Sequence, residues 1–247
     1  MIASLPMYDW PHLHAAHDRL WAAIRDDLRA KGIAAPDRLS RCVDVWAHWL
    51  NPDLVLSQTC GLPYRSKLFG KVTKLATPNY ALEGALPGYY YSVIVVRRGD
   101  SKELAAHVGR RLAINGYDSQ SGWGAPAHHA AARNLRFSDI TVSGSHRESA
   151  RLVATNGADI AAIDAVTWRL VEAQMPHISA LLQVIDRTEP TPGLPLITAR
   201  QSEAPIIAKA VATAIATMEE ADRQMTGLVG LTEISDAAYR AVPDVPH

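Results

Sequence analysis

Apolar positions along this chain switch repeatedly between helical and strand-like spacing. Leu13, Leu20, Trp21, Ile24 and Leu28 fall on one face of a helix predicted over 12–31. Lys31-Gly32 supplies its stop. Residues 2–7 ahead of it read as a strand. Further strands are predicted near 42–46, at 54–56 and at 71–76, with a short helix from Leu62 to Phe69. Ser92 to Val96 carries apolar residues at consecutive positions, as a strand covered on both faces does. The cycle then repeats: helix 101–108, strand 111–115, helix 122–134, strand 138–142, helix 146–155, strand 159–163 and helix 165–174. The tail adds strands at 181–185 and 195–198, an alanine-rich helix over 203–219 and a last helix near 235–240. Repeated strand–helix units predict an α/β fold, each lobe a mostly parallel sheet flanked by helices. Two polar, turn-rich stretches, Arg97–Asp100 and Thr188–Gly193, suggest two lobes. Residues 1–97 with 187–247 form one, and 98–186 form a second inserted into it. A cleft between lobes is the default ligand site.

Composition narrows the function classes. With 25 basic and 25 acidic residues among 247, the formal net charge is zero. No basic footprint for nucleic acid exists, so an anionic ligand has to be caught by local donors. No apolar run reaches the length of a membrane span. The first residues lack a basic region followed by a long apolar one, so the chain is expected to be cytoplasmic, or periplasmic if an export signal has been removed. Cys42 and Cys60 are too few for a disulfide scaffold. Gly70-Lys71 lacks phosphate-loop spacing, and no nucleophile elbow is present. His14 and His17 share a helix face, but no carboxylate or cysteine completes a metal set nearby, so a solvated helix end is expected.

Two motifs carry candidate chemistry. Asp118-Ser119-Gln120-Ser121-Gly122 and Ser143-Gly144-Ser145-His146 each follow a short apolar run and each lead into a helix. A helix start offers backbone N–H groups and the positive end of its dipole, and neighbouring hydroxyls add donors suited to a phosphate-like oxyanion. Each serine also fits an ordinary helix cap. Both stand where α/β sheets place ligands, at the carboxyl ends of strands.

The order of Gln58-Thr59-Cys60-Gly61-Leu62-Pro63-Tyr64, the Gly88–Val96 strand, the Asp118–Gly122 motif, and Gly144-Ser145-His146 through Ala158–Val166 resembles the phosphate/phosphite/phosphonate-binding family of ABC-transporter substrate-binding proteins. The resemblance runs from about Ile2 to Thr198 and is strongest over 111–168. It implies a two-lobed fold of the type II periplasmic-binding-protein kind, holding a tetrahedral oxyanion with no chemistry performed. It further implies that Ser119, Gln120 and Ser121 sit at a helix N-terminus, with Gln120 standing where the family usually has threonine. Ser145 and His146 match the family's Ser-His pair, Asp164 its acidic position, and Tyr64 and Tyr90 its tyrosines. Tyr8 lies just past the first strand, where the first lobe would offer a contact.

Each of these residues has a plainer role open to it. His146 could cap its own helix, Asp164 could cap the 165–174 helix, Tyr90 could turn into packing, and Trp123 could be core or cleft wall. The expected function is capture of a small oxyanion, phosphate or phosphonate, for ABC-type uptake, with a permease as partner and no cofactor. A cytoplasmic enzyme or a ligand sensor on the same fold is the alternative.

Overall fold

Residues 1–41 and 44–246 are described by a computed structural model of the chain. Contacts divide it into Met1–Glu83 with Pro192–Arg240, and Gly84–Thr191 with the C-terminal segment from Ala241.

In the first unit the sheet runs in the order Ile2–Ala3, Leu54–Gln58, Leu196–Thr198, Thr73–Lys74. The first pair is parallel and the two pairings of Leu196–Thr198 are antiparallel. The long helix His14–Ala30 buries Leu20, Trp21, Ile24 and Leu28. They meet Ile207, Val211 and Ile215 of the Ala204–Ala216 helix over Val55, Leu56 and Leu196. Full burial of each such side chain is worth about 1.5–3 kcal/mol, which is why the apolar stripe outweighs a modest helix propensity. The helix ends where Gly32 takes a φ of 76°, closing bonds from Gly32 N to Arg29 O and from Ile33 N to Leu28 O. The strand expected near 42–46 is not a strand from Asp44 on: Asp44 caps a short helix, Val45–Trp49, by accepting from Trp46 N and Ala47 N. Cys42 lies outside the described residues. A helix at Glu220–Thr226 and a strand pair, Thr77–Asn79 with Gly230–Thr232, complete the unit.

The second unit's sheet runs Leu182–Arg187, Ser92–Arg97, Ile160–Asp164, Arg111–Ile114, Asp139–Val142. Ser92–Arg97 is antiparallel to both its neighbours. Arg111–Ile114 is parallel to both of its own. The α/β architecture is therefore as expected, with sheets that are mixed rather than mostly parallel. In the second unit's sheet, strand–helix–strand crossovers enforce parallel pairing only over 111–164; the segments entering and leaving that block run the other way. Ser92–Arg97, assigned by sequence to the first lobe, is hydrogen-bonded on both edges within the second unit. The apolar run of that strand reads correctly: Ile94 and Val96 are buried with Leu112, Ile114, Ala130, Phe137 and Ile160.

This topology decides where the site can form. Arg111–Ile114, Asp139–Val142 and Ile160–Asp164 point the same way, so the residues after them emerge at one sheet edge. Ser92 pairs with Asp164, which brings the start of the antiparallel strand to that same edge.

Candidate functional site

Ser119 caps the helical turn Gln120–Gly124, which continues directly into Ala125–Ala131. Its Oγ accepts from Gly122 N at 2.9 Å. A helix start leaves further N–H groups without an internal acceptor and concentrates positive dipole there, so this turn faces the sheet edge as an anion-attracting end. Gln120 is buried, and its side-chain oxygen lies over Gly124, 3.1 Å from where a Cβ there would sit. The long amide thus folds back along its own helix.

Ser121 is the residue that joins the two motifs. Its Oγ stands 2.7 Å from Nε2 of His146, at the head of the His146–Ala154 helix. His146 Nδ1 lies 3.1 Å from the carbonyl oxygen of Ala162. A carbonyl only accepts, so Nδ1 carries the hydrogen, and a neutral imidazole then receives the Ser121 hydroxyl proton at Nε2. Burial lowers the imidazole's pKa, against an opposing pull from Asp164 and the Ala162 carbonyl.

Asp164 is 3% exposed and places Oδ2 3.6 Å from the same Nε2. Its Oδ1 accepts from Val166 N and Thr167 N, both at 3.0 Å, and Oδ2 accepts from the Thr167 hydroxyl. The helix-cap role open to Asp164 in the sequence is therefore filled, and the same carboxylate stands beside His146. The arrangement does not form a catalytic relay. In a relay the carboxylate holds Nδ1 and leaves Nε2 to the serine, whereas here carboxylate and serine share Nε2.

Sequence reasoning missed three supports of this cluster. Ser92, fully buried, donates from Oγ to the carbonyl of Ser121 at 2.8 Å. Thr167 holds Asp164 as above. Asn115, at the end of Arg111–Ile114, places its side-chain oxygen 1.7 Å from where a Cβ on Gly122 would lie. A serine opening a fully apolar strand was the visible signal for Ser92; nothing local marks Asn115.

The remaining expected residues have partners of their own. Ser145 is exposed and caps the His146–Ala154 helix, accepting from Glu148 N at 3.1 Å. Tyr90 is buried two positions before Ser92. Trp123 packs on the second unit's core and meets the exposed Tyr117 edge-to-face, with ring centroids 5.6 Å apart. Tyr8 and Tyr64 belong to the first unit. Tyr8 is buried edge-to-face with Tyr80 and lines a cavity of about 30 Å³, together with His17 and Gln58. Tyr64 donates from its hydroxyl to Asp236 Oδ1 at 2.8 Å, and burial with that carboxylate raises its pKa strongly. His17 is not at a solvated helix end: it is buried and bonded to Asp9 at 2.9 Å, with Arg41 on the other carboxylate oxygen. No metal-binding group of three or more His, Cys, Asp or Glu side chains occurs among the described residues. No helix among them is long and apolar enough to cross a membrane.

The chain matches, over residues 69–240, the family model described as ABC transporter, phosphonate, periplasmic substrate-binding protein. No curated protein sequence matches. Among solved structures, PhnD1 from Prochlorococcus marinus in complex with methylphosphonate is 14% identical with a TM-score of 0.75, covering 98% of this chain and 95% of that one. XAC2383 from Xanthomonas citri, bound to chloride ion, is 17% identical with a TM-score of 0.70, covering 98% and 94%. A binding protein component of an ABC phosphonate transporter (PA3383) from Pseudomonas aeruginosa is 14% identical with a TM-score of 0.68, covering 96% and 82%. At these identities the structures share the fold, and the sequence match carries the family. The chain belongs to the phosphonate-type periplasmic substrate-binding proteins of ABC transporters, a family of binding proteins rather than enzymes.

Proposed function

We propose that this protein captures a small tetrahedral oxyanion, a phosphonate or phosphate, at the head of the Gln120–Ala131 helical segment and delivers it to an ABC-type permease. The observation that carries this reading is the meeting of Ser121, His146 and Asp164 at a helix N-terminus, although Ser121 and His146 are 25 residues apart. Hydroxyl and backbone donors hold the anion's oxygens. The Asp164 carboxylate favours a ligand that keeps a proton, because P–OH can donate to it while a fully ionised oxyanion is repelled.

The test is a thermal-shift panel of phosphate, phosphite, methylphosphonate, sulfate and small carboxylates. A ligand at a hundredfold excess over Kd stabilises the folded protein by about 2.7 kcal/mol, a rise of roughly 5–10 °C for a chain of this size. Ser121→Ala is expected to blunt the rise while the protein stays folded. An unchanged Tm across the panel at millimolar concentration overturns the reading.

A further inference from the structure

The inference concerns how the Ser121–His146 contact governs capture, and it rests on the oxyanion reading above. A serine hydroxyl has one proton to give. With Nδ1 of His146 donating to the Ala162 carbonyl, a neutral imidazole presents a bare lone pair at Nε2, 2.7 Å from Ser121 Oγ. The hydroxyl proton is then committed to Nε2, and Ser121 turns oxygen lone pairs outward. Those lone pairs repel an arriving oxyanion. On the other side of Nε2, Asp164 Oδ2 at 3.6 Å is a second acceptor, which a neutral Nε2 cannot satisfy.

Protonation of the ring reverses both relations. Nε2 becomes a donor, to Asp164 Oδ2 or Ser121 Oγ, and the Ser121 hydroxyl proton is released to the ligand. We propose that His146 is a proton-operated gate on Ser121, so that oxyanion capture takes up about one proton at this imidazole. Covalent bonds other than N–H are untouched: solvent supplies the proton, and it returns to solvent on release.

The charged surroundings suit this role. Asp164 is the charged group that acts on the ring, and burial opposes it. On the ring's own helix, Glu148 is paired with Arg151, and Arg147 is the other charge beside it. Arg97 and Arg111, on the strands packed against that helix, sit at the opposite strand ends, bound to Asp159. Arg169 and Glu172 lie on Ala165–Gln174, and His177 on Pro176–Ser179, the two helices that also pack against it. The sign follows. Without ligand the imidazole titrates below its ordinary range; an adjacent anion raises its pKa. Affinity therefore grows as pH falls through the window between the two values, by up to tenfold per pH unit, and levels off below it.

The experiment is calorimetric titration with inorganic phosphate and with methylphosphonate, in two buffers of different ionisation enthalpy, on wild type and His146→Gln. The ligand's own titration is common to both proteins, so the difference in proton count belongs to His146. The expected difference near neutral pH is about one proton, with a correspondingly flatter pH profile in the variant. Equal counts in the two proteins, with binding retained, overturn the gate and leave the oxyanion site standing. Absence of binding by either probe to wild type at any pH overturns both. Should His146→Gln fail to fold, nitrogen NMR of the wild-type ring decides: phosphate added at constant pH must convert Nε2 from unprotonated to protonated, and an unchanged signal overturns the gate.

Discussion

The side-chain oxygen of Asn115 occupies the space a Cβ on Gly122 would need, 1.7 Å from that position, with Ser119 Oγ a further 3.2 Å neighbour. Gly122 is thus glycine because a strand-end amide closes over the Gln120–Gly124 turn, and the two residues specify each other.

Gly122→Ala is expected to push the Asn115 amide aside and cost about 1–3 kcal/mol, the usual range for overpacking. Asn115→Ala in the same chain vacates the contested space, so the double variant regains part of the loss. Chemical denaturation of the four proteins of the cycle measures it, and a coupling energy near zero would show that the two side chains do not compete.

Asp164 has separable duties. Asp164→Ala removes the acceptor for Val166 N and Thr167 N and is expected to cost about 1 kcal/mol, while Asp164→Asn keeps an acceptor there and should cost only a few tenths. The charge itself raises the His146 pKa, so Asp164→Asn should move the imidazole's titration to lower pH. Denaturation curves read the first duty and proton NMR of the His146 ring the second.

Tyr64 gives the opposite expectation. Its hydroxyl is spent on Asp236, so Tyr64→Phe should lower stability by about 1 kcal/mol and leave affinity for phosphate or methylphosphonate unchanged. A tenfold loss of affinity with unaltered stability would return Tyr64 to the binding site. Thermal denaturation with and without ligand distinguishes the two.

Acid sensitivity has a local source in the second unit. Hydrogen bonds from Arg111 and Arg97 hold Asp159 at about 2, below its ordinary 3.8. A depressed carboxylate contributes stability above its unfolded pKa and loses it as pH falls through the folded value. With solvent screening at partly exposed Arg111, the contribution is of order 1 kcal/mol. Asp159→Asn should therefore destabilise the protein at pH 7 and lose most of that effect by pH 2, as urea midpoints across the range will report.

Much of this architecture is legible in the chain. The stripe of Leu20, Trp21, Ile24 and Leu28, the apolar run of Val93–Val96 and the alternation over 111–174 all correspond to observed elements within a few residues. Caps are legible for the same reason. Ser119 to Gly122 and Asp164 to Thr167 span three residues, so composition and spacing alone specify them. The region near 42–46 misled because its alternating apolar residues fit a strand as well as a short helix, and Asp44 as a cap decided the matter from Val45 onward.

What the sequence by itself determined is therefore local: element order, the family pattern, and two serine motifs at helix starts. Tertiary structure decided which of those side chains meet. Parallel pairing of Arg111–Ile114 with both Asp139–Val142 and Ile160–Asp164 sets Ser121 against His146 and Asp164, and antiparallel pairing sets Ser92 beneath them. Long-range packing likewise spends Tyr64 on Asp236, 172 residues away. The physical reason is one of range. Helix caps and periodicity act over a turn or two of chain, whereas a binding site depends on strand order, and strand order is set by how whole elements bury their apolar faces against one another.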